Sequence, residues 1–248
     1  MTGVALGIFL ACAFGAEVIG TMAGFGAATV LTPIASFFMD IKTAVAVVTC
    51  FHLFGNASRL YFFGKHLQWK LVWQFGLVAV LLSFVGAQAA AWLPSNTIRL
   101  LLGSFLVLYA ALEALGATAL RVPSTPKALA AGGILSGFIS GLIGTGGAIR
   151  SVCLLAYGLP KEAYLGTSAA IALVVDATRL PVYLTQRFIP ADLLPVVGGL
   201  TGVAFAGAWT GQRLVRRVSP VVFRRLVLVM LFLMGVKLCL DGIRASAA

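Results

Sequence analysis

Charged residues are scarce in this sequence, and their scarcity excludes a soluble globular protein. Only 10% of the 248 residues are Asp, Glu, Lys or Arg, whereas 60% are hydrophobic. Soluble domains carry about 25% charged residues because their surface faces water. Apolar stretches such as residues 3–22, 71–93 and 226–240 are long enough, or nearly so, to cross a hydrocarbon core about 30 Å thick as helices. The sequence therefore predicts a polytopic, all-α integral membrane protein in contact with the lipid bilayer.

Acidic residues are rarer than basic ones, with seven Asp and Glu against 18 Lys and Arg. In a soluble chain the formal net charge of +11 would suggest a nucleic-acid partner. In a membrane protein, positive charge gathers in cytoplasmic loops, so no nucleic-acid partner is predicted. No Lys or Arg precedes the first apolar run, so residues 1–22 lack the basic region of a signal peptide and are expected to belong to the mature protein.

Cysteine and histidine are too few and too scattered to indicate a metal site. The four cysteines lie apart in apolar segments without Cys-x-x-Cys spacing, which argues against a disulfide framework as well. His52 is interpreted as a core histidine with satisfied hydrogen bonds. No Ser-His-Asp, Cys-His or paired-carboxylate arrangement stands out, and residues 144–146 lack the third glycine of a nucleotide-binding loop at Ile149. The sequence thus predicts neither an enzyme nor a bound metal or cofactor.

An internal repeat is present at a spacing of 120 residues. Residues 24–28 (Gly-Phe-Gly-Ala-Ala) align with residues 144–148 (Gly-Thr-Gly-Gly-Ala). In the same register, residues 56–60 (Asn-Ala-Ser-Arg-Leu) align with residues 176–180 (Asp-Ala-Thr-Arg-Leu). A glycine turn and a polar string that match in one register indicate that the chain arose by duplication.

The duplication divides the chain into two membrane repeats of one domain, residues 1–121 and 122–248. Each repeat is expected to open with an apolar helix, a glycine-rich break and a second helix too short to span the membrane, like a broken or re-entrant hairpin. Three longer transmembrane helices follow in each repeat. They are expected at about residues 42–63, 69–93 and 97–119, and at about residues 161–186, 191–214 and 221–242.

Loop charge favours an inverted relation between the two repeats. If each broken element enters and leaves on the same side, each repeat crosses the membrane an odd number of times, and the repeats have opposite orientations. With both termini outside, this topology places the five arginines of residues 213–225 on the cytoplasmic side. The parallel alternative forces the same arginines outside, against the usual distribution of positive charge. The sequence therefore predicts inverted repeats with both termini outside.

The paired glycine breaks form the first candidate site. A helix that restarts after a break presents free backbone N–H groups and the positive end of its dipole, which suit an anion. A non-helical turn at membrane depth needs protein or water around it, so the two breaks are expected to meet inside the protein. The alternative is that the glycines only permit close helix packing. The candidate substrate-binding glycines are Gly24, Gly26, Gly144, Gly146 and Gly147.

The polar strings supply further candidate substrate-binding residues in the helix after each hairpin. These are Asn56 and Arg59 in the first repeat, and Asp176 and Arg179 in the second. The guanidinium fork of an arginine suits an oxyanion. The alternatives are snorkelling to the interface, or an ion pair between Asp176 and Arg179 one turn apart. Arg150 has no basic counterpart in the first repeat, which marks it as a separate candidate substrate contact.

Two carboxylates are candidates for proton coupling. Glu17 precedes the first break, and Asp176 lies in the second polar string. A carboxylate within the membrane can exchange a proton near neutral pH because burial disfavours its charged form. Either residue has the alternative role of neutralising an arginine or satisfying a backbone group.

The two breaks resemble a known family. Residues 24–27 (Gly-Phe-Gly-Ala) and residues 144–147 (Gly-Thr-Gly-Gly) look like the motifs that open the two halves of the sulfite exporter TauE/SafE family, and residues 137–180 are the closer match. The resemblance covers nearly the whole chain. It implies a permease of the bacterial cytoplasmic (inner) membrane that transports a small sulfur-containing anion, such as sulfite or an organosulfonate, with coupling to protons.

The expectation is a secondary transporter that works by alternating access with the anion bound at the glycine breaks, as in other transporters with inverted repeats. Two alternatives remain open. An anion channel would use the same cavity without proton coupling, and a non-transporting membrane subunit would bind a partner through small-residue faces such as residues 207–211. The identity of the anion, the direction of transport and the choice between monomer and homodimer are also left open.

Overall fold

The computed structural model describes residues 3–115, 122–214 and 220–247. Within these ranges the regular structure is helical, with ten α-helices and two short 3-10 segments and no strand. The prediction of an all-α protein is confirmed. The predicted junction between the repeats at residue 121, the predicted end of a helix at residue 119 and the basic residues Arg216 and Arg217 lie outside the described residues.

The helices follow the same order of lengths in both halves of the chain. In the first half they are α1 (Gly3–Ala23), α2 (Ala28–Ala35), α3 (Ile41–Phe63), α4 (Trp69–Trp92) and α5 (Ser95–Ala114). In the second half they are α6 (Pro126–Ile143), α7 (Gly147–Leu155), α8 (Lys161–Thr185), α9 (Leu194–Leu214) and α10 (Pro220–Ala247). Each half thus has one long helix, one helix of half length and three long helices, as the repeat in the sequence predicts.

Six helical segments among the described residues are long and apolar enough to cross a membrane: α1, α4, α5, α6, α8 and Ala191–Leu214. Large apolar side chains such as Leu77 and Leu81 on α4 are exposed on the outside of the bundle. A surface of this kind suits hydrocarbon better than water. α3 carries polar residues instead, and it buries His52, Asn56 and Arg59. The bundle therefore has a lipid-facing exterior and a polar centre.

Two pairs of helices at equivalent positions in the two halves, α3 with α8 and α5 with α10, pack against each other in opposite directions. Near the end of α3, the backbone of Phe63 lies against Gly166 near the start of α8. Further back along α3, Asn56 donates a hydrogen bond to Asp176, its own equivalent in the repeat, over 2.9 Å. α3 and α8 are therefore antiparallel. α5 and α10 are antiparallel as well, through the contacts Asn96–Ala245 and Gly103–Gly235.

Helix α6 packs tightly along α4 through a row of glycines. Its Gly137 faces Ala79 so closely that an added Cβ would lie 2.2 Å from the Ala79 carbonyl oxygen. One turn later, a Cβ on Gly141 would lie 2.1 Å from the Ser83 carbonyl oxygen. Such spacing of small residues allows two backbones to approach within a membrane. This contact fixes the position of α6, and α6 leads directly into the second glycine break.

We expect Gly137→Ala to destabilise the protein by about 1–3 kcal/mol, because the added methyl group overlaps backbone that has no room to move. The matched control is Gly202→Ala on α9, where nothing lies within 4 Å of an added Cβ. Since alanine favours a helix over glycine by up to about 1 kcal/mol, the control should unfold at the same temperature or higher. Thermal unfolding in detergent measures both, and equal midpoints for the two variants would contradict the tight packing of α4 and α6.

Candidate functional site

Both glycine breaks turn the chain through left-handed backbone conformations. The backbone angle φ is +80° at Gly24 and +92° at Gly26 in the first break, and +81° at Gly144, where α6 ends. Residues with a Cβ adopt these conformations rarely, so glycine is the natural occupant. The breaks are thus built into the fold, and each one redirects the chain into the half-length helix that follows.

The two breaks lie against each other in the core of the protein. Gly147 at the start of α7 is so close to the first break that an added Cβ would lie 1.7 Å from the Phe25 carbonyl oxygen. The hydroxyl oxygens of Thr29 and Thr145, both buried, are 2.7 Å apart and share a hydrogen bond. This contact agrees with the expectation that the breaks meet inside the protein. We call the region between the starts of α2 and α7 the hairpin junction.

Backbone donors face this junction from both short helices. The N-terminal caps of α2 and α7 are Ala27 and Gly146, and neither provides a side-chain oxygen for the N–H groups of the first turn. The first N–H groups of a helix have no partner within the helix, and they carry the positive end of its dipole. The hairpin junction therefore combines two positive helix ends without a negatively charged cap.

Arg150 adds a full positive charge to the junction. It lies on α7, is only 2% exposed, and donates from Nε to the hydroxyl of Ser168 over 3.0 Å. The same hydroxyl donates to the Gly24 carbonyl over 3.2 Å, which links α8 to the first break. The Nη2 atom of Arg150 is buried without a hydrogen-bond partner, and it would lie 3.4 Å from a Cβ on Gly147. Among the described residues, no carboxylate lies within ion-pair distance of this guanidinium.

Arg59 has a carboxylate partner from another helix. Its Nη2 atom lies 3.1 Å from Oε1 of Glu17 on α1, and its Nε donates to the Gly55 carbonyl over 3.3 Å. Glu17 also accepts a hydrogen bond from the hydroxyl of Thr21 over 3.3 Å. The structure therefore gives Glu17 the arginine-neutralising role that the sequence left open. Its predicted role in proton coupling stays a prediction.

Arg179 and Asp176 form the ion pair that the sequence offered as an alternative. Oδ1 of Asp176 accepts from Nη2 of Arg179 over 2.7 Å and from Nε over 3.0 Å. The other carboxylate oxygen, Oδ2, lies 2.8 Å from Nδ1 of His52 and accepts from Asn56 over 2.9 Å. Arg179 also donates to the Ser140 carbonyl near the end of α6. Asp176 is thus the centre of a four-residue network that ties α3, α8 and α6 together.

His52 differs from the sequence interpretation. It was expected to be a core histidine with satisfied hydrogen bonds, and this is wrong at one of its two ring nitrogens. The Nε2 atom is buried with no hydrogen-bond partner, and it would lie 2.5 Å from a Cβ on Gly26. The available signal was the spacing to Asn56: residues four apart on a helix share a face. The spacing therefore predicts that His52 lies in the same polar surroundings as Asn56.

The candidate residues fall into three groups in the structure, and Gly144 lies apart from them. Gly24, Gly26, Gly146, Gly147 and Arg150 lie at the hairpin junction. A second group, Asn56, Asp176 and Arg179, lies around His52, whose free nitrogen reaches the junction. Arg59 pairs with Glu17 on α1, and Gly144 packs against Val45 and Thr32.

Sequence reasoning missed Thr29, Thr145 and Ser168, which hold the two breaks together, because single hydroxyls in apolar helices have no distinctive pattern.

The comparisons with known proteins give one match. A family model described as sulfite exporter TauE/SafE matches residues 9–238, a range that includes both glycine breaks and every buried arginine described above. No curated protein and no solved structure matches the sequence. The resemblance drawn from the glycine breaks is confirmed, since the match covers almost the whole length. The chain belongs to the sulfite exporter TauE/SafE family of membrane transporters.

Proposed function

We propose that the protein is a secondary transporter that carries a small sulfur-containing anion, such as sulfite or an organosulfonate, and binds it at the hairpin junction. The observation that supports this most directly is Arg150, a buried arginine beside two positive helix ends that has no carboxylate partner within the described part of the chain. An unpaired buried charge is unfavourable by several kcal/mol. An anion at the junction would offset that penalty, and the family described as sulfite exporters supplies the sulfur chemistry.

The junction offers an oxyanion two kinds of donor. Backbone N–H groups at the starts of α2 and α7 provide neutral donors, and the glycines allow the backbone to approach without a Cβ in the way. The free Nη2 of Arg150 provides a charged donor, and charge-assisted hydrogen bonds are about twice as strong as neutral ones. In this proposal Arg59 and Arg179, each held by a carboxylate, shape the site from outside and do not contact the anion.

Alternating access is the transport mechanism that we propose, and the arrangement of the two halves supports it. The antiparallel pairs α3–α8 and α5–α10 support inverted repeats, for which we propose residues 1–121 and 122–248 as the units. The proposal that both termini lie on the outer side of the cytoplasmic membrane rests on loop charge alone. Thr145, Arg150 and Asp176 are each no more than 2% exposed, so the site is closed to both sides in this structure. An anion can then enter or leave only after one hairpin moves relative to the other helices. A carrier needs such a closed state.

The two rival functions fit the structure less well. An open anion channel requires a continuous path, whereas the hairpin junction is closed. A partner-binding subunit was expected to use the small-residue face at residues 207–211. Gly207 of that face lies against Glu17 of α1, and Gly211 lies against Thr21, so the face is occupied within the chain. A homodimer stays a prediction.

The test is ligand-induced stabilisation of the purified protein in detergent. The panel is sulfite, sulfate, thiosulfate, sulfoacetate and taurine, with acetate and chloride at matched ionic strength as controls. An anion present at 100 times its dissociation constant stabilises by about 2.7 kcal/mol, which gives a readily measured rise in the unfolding temperature. We expect at least one sulfur oxyanion or sulfonate to raise it and the controls to have no effect. A flat response to the whole panel would overturn the proposal.

A further inference from the structure

We infer that His52 binds the proton that moves with the anion, and that the proton is held at Nε2. The inference rests on the proposed function, because the partner of the proton is the anion at the hairpin junction. It assigns the proton-coupling role to His52, which the sequence analysis interprets as a core residue, instead of to the carboxylates Glu17 and Asp176.

The environment of Nδ1 determines where a neutral His52 carries its hydrogen. Nδ1 lies 2.8 Å from Oδ2 of Asp176, whose other oxygen is bound by Arg179 over 2.7 Å. A carboxylate bound to an arginine in this way remains charged and only accepts hydrogen bonds. The Asn56 amide nitrogen also lies near Nδ1, at 3.1 Å, but the charged oxygen at 2.8 Å is the closer neighbour and can only accept, so Nδ1 donates to it and Nε2 is left with a lone pair. Asn56 donates to the same oxygen over 2.9 Å and holds the arrangement in place.

The lone pair on Nε2 has a specific relation to the anion site. Nε2 is buried, has no hydrogen-bond partner and faces the backbone of Gly26 at the start of the first short helix. A lone pair that faces a bound anion is repulsive. A proton on Nε2 turns the same atom into a charged donor toward that anion. Binding of the anion therefore favours protonation of His52, and by thermodynamic reciprocity protonation favours the anion by the same factor.

Charges on four helices act on His52. The charged and titratable groups around it are Asp176 and Arg179 on α8, Arg59 and Cys50 on α3, Arg150 on α7 and, through Arg59, Glu17 on α1. Burial opposes a positive charge on His52 most strongly, Asp176 favours it, and Arg59 and Arg150 add to the opposition when the junction is empty. An anion beside Arg150 offsets much of the repulsion between the arginines and a protonated His52. The empty site thus keeps His52 neutral, and the occupied site protonates it.

The step balances in atoms and charge. One proton comes from the solution on the side of entry and forms an N–H bond with the lone pair of Nε2. The imidazole becomes an imidazolium, and the proton leaves Nε2 when the anion leaves on the other side. For an anion with a single negative charge, the pair adds no net charge to the protein. Transport of such an anion should respond to a pH gradient and be insensitive to membrane potential.

The experiment measures proton uptake on anion binding by the whole protein in detergent. The probes are methanesulfonate and thiosulfate, whose charge does not change between pH 6 and 8, so any proton uptake belongs to the protein. Titration calorimetry in two buffers of different ionisation enthalpy gives the number of protons bound per anion. We expect uptake of up to one proton per anion in the wild type, with affinity falling by as much as about tenfold per pH unit as pH rises. His52→Gln should bind the anion without proton uptake and with an affinity that is independent of pH.

Glu17→Gln provides the competing outcome. If uptake persists in His52→Gln and is lost in Glu17→Gln, the proton belongs to the carboxylate and the inference is overturned. A wild type that binds a probe with no proton uptake also overturns it, and leaves the proposed anion site intact. A wild type that binds neither of these probes nor any other sulfur anion of the stabilisation panel overturns both proposals together, so the two failures are distinguishable.

A measurement on the unmutated site covers the case in which His52→Gln fails to fold. The sequence contains only two histidines, so the nitrogen signals of a histidine-labelled sample are readily assigned. His66→Gln, at an exposed position away from the junction, identifies the signals of His52. Saturation with methanesulfonate at pH 7 should move the Nε2 signal of His52 from the unprotonated to the protonated range. An unchanged Nε2 signal in the saturated protein would overturn the inference.

Discussion

Asp176→Ala should destabilise the protein by about 3–5 kcal/mol, because it leaves buried groups without their partner. The substitution removes Oδ1, which accepts two hydrogen bonds from the Arg179 guanidinium, and Oδ2, the acceptor of His52 Nδ1. Arg179 is almost fully buried and cannot reach water to regain its hydrogen bonds. Unfolding in detergent by heat or denaturant measures the loss, and a concentration series of the variant separates unfolding from aggregation.

Two further variants separate the charge from the packing. In Asp176→Ala with Arg179→Met, both members of the pair are gone, so we expect much of the lost stability to return, since an apolar replacement of a buried ion pair is often neutral or stabilising. Asp176→Asn keeps the shape and introduces the residue found at the equivalent position 56, and it should fall between the alanine variant and the wild type. Wild-type stability for Asp176→Ala alone would show that the four-residue network around Asp176 does not form.

Arg150→Gln should weaken anion binding by about 10- to 100-fold without lowering stability. Hydrogen bonds to a charged group contribute about 1.5–3 kcal/mol, and each 1.4 kcal/mol is a factor of ten in affinity. Stability should hold or rise because the substitution removes a buried positive charge for which the described residues provide no carboxylate partner. Arg150→Gln should therefore leave stability intact, whereas Asp176→Ala should lower it, although both residues are buried and charged. Calorimetry gives the affinity, and thermal unfolding without ligand gives the stability.

Matched arginine variants sharpen this test. Arg150→Lys keeps the charge and loses the planar fork, so its affinity should lie between those of the wild type and Arg150→Gln. Arg244→Gln removes a positive charge from an exposed position near the end of α10 and controls for a general effect of net charge. If Arg150→Gln bound the anion like the wild type and unfolded more readily, the residue would be structural and the anion site would lie elsewhere.

The elements that the sequence predicts well are those set by local chemistry and by duplication. The glycine breaks follow from residues 24–26 and 144–147, because left-handed turns demand glycine and the pattern occurs twice. The half-length helices α2 and α7 follow from the distance between each break and the next helix. Asn56 and Asp176, which bond to each other, are also equivalent positions in the 120-residue sequence repeat, so the alignment of the two polar strings already named both partners.

The partners of the buried charges are the part that the sequence does not reveal. Glu17 reaches Arg59 from 42 positions away in the chain, and glycine occupies its equivalent position, 137, so comparison of the repeats gives no hint of the pair. Only the tertiary fold brings Glu17 on α1 within 3.1 Å of Arg59 on α3. The free nitrogen of His52 depends in the same way on how α3 faces the first break. Local pattern places these residues on helices, and tertiary packing decides which of them stay unpaired.

Anion flux into proteoliposomes tests the central claim most directly, since it reports transport and the role of the hairpin junction together. Labelled sulfite and a labelled sulfonate are followed in the wild type, in Arg150→Gln and in the Arg244→Gln control, each reconstituted at equal density with an imposed pH gradient. We predict saturable flux of at least one of these anions in the wild type and the control, reduced at least tenfold in Arg150→Gln. No flux of any sulfur anion, or equal flux in Arg150→Gln, would contradict the account.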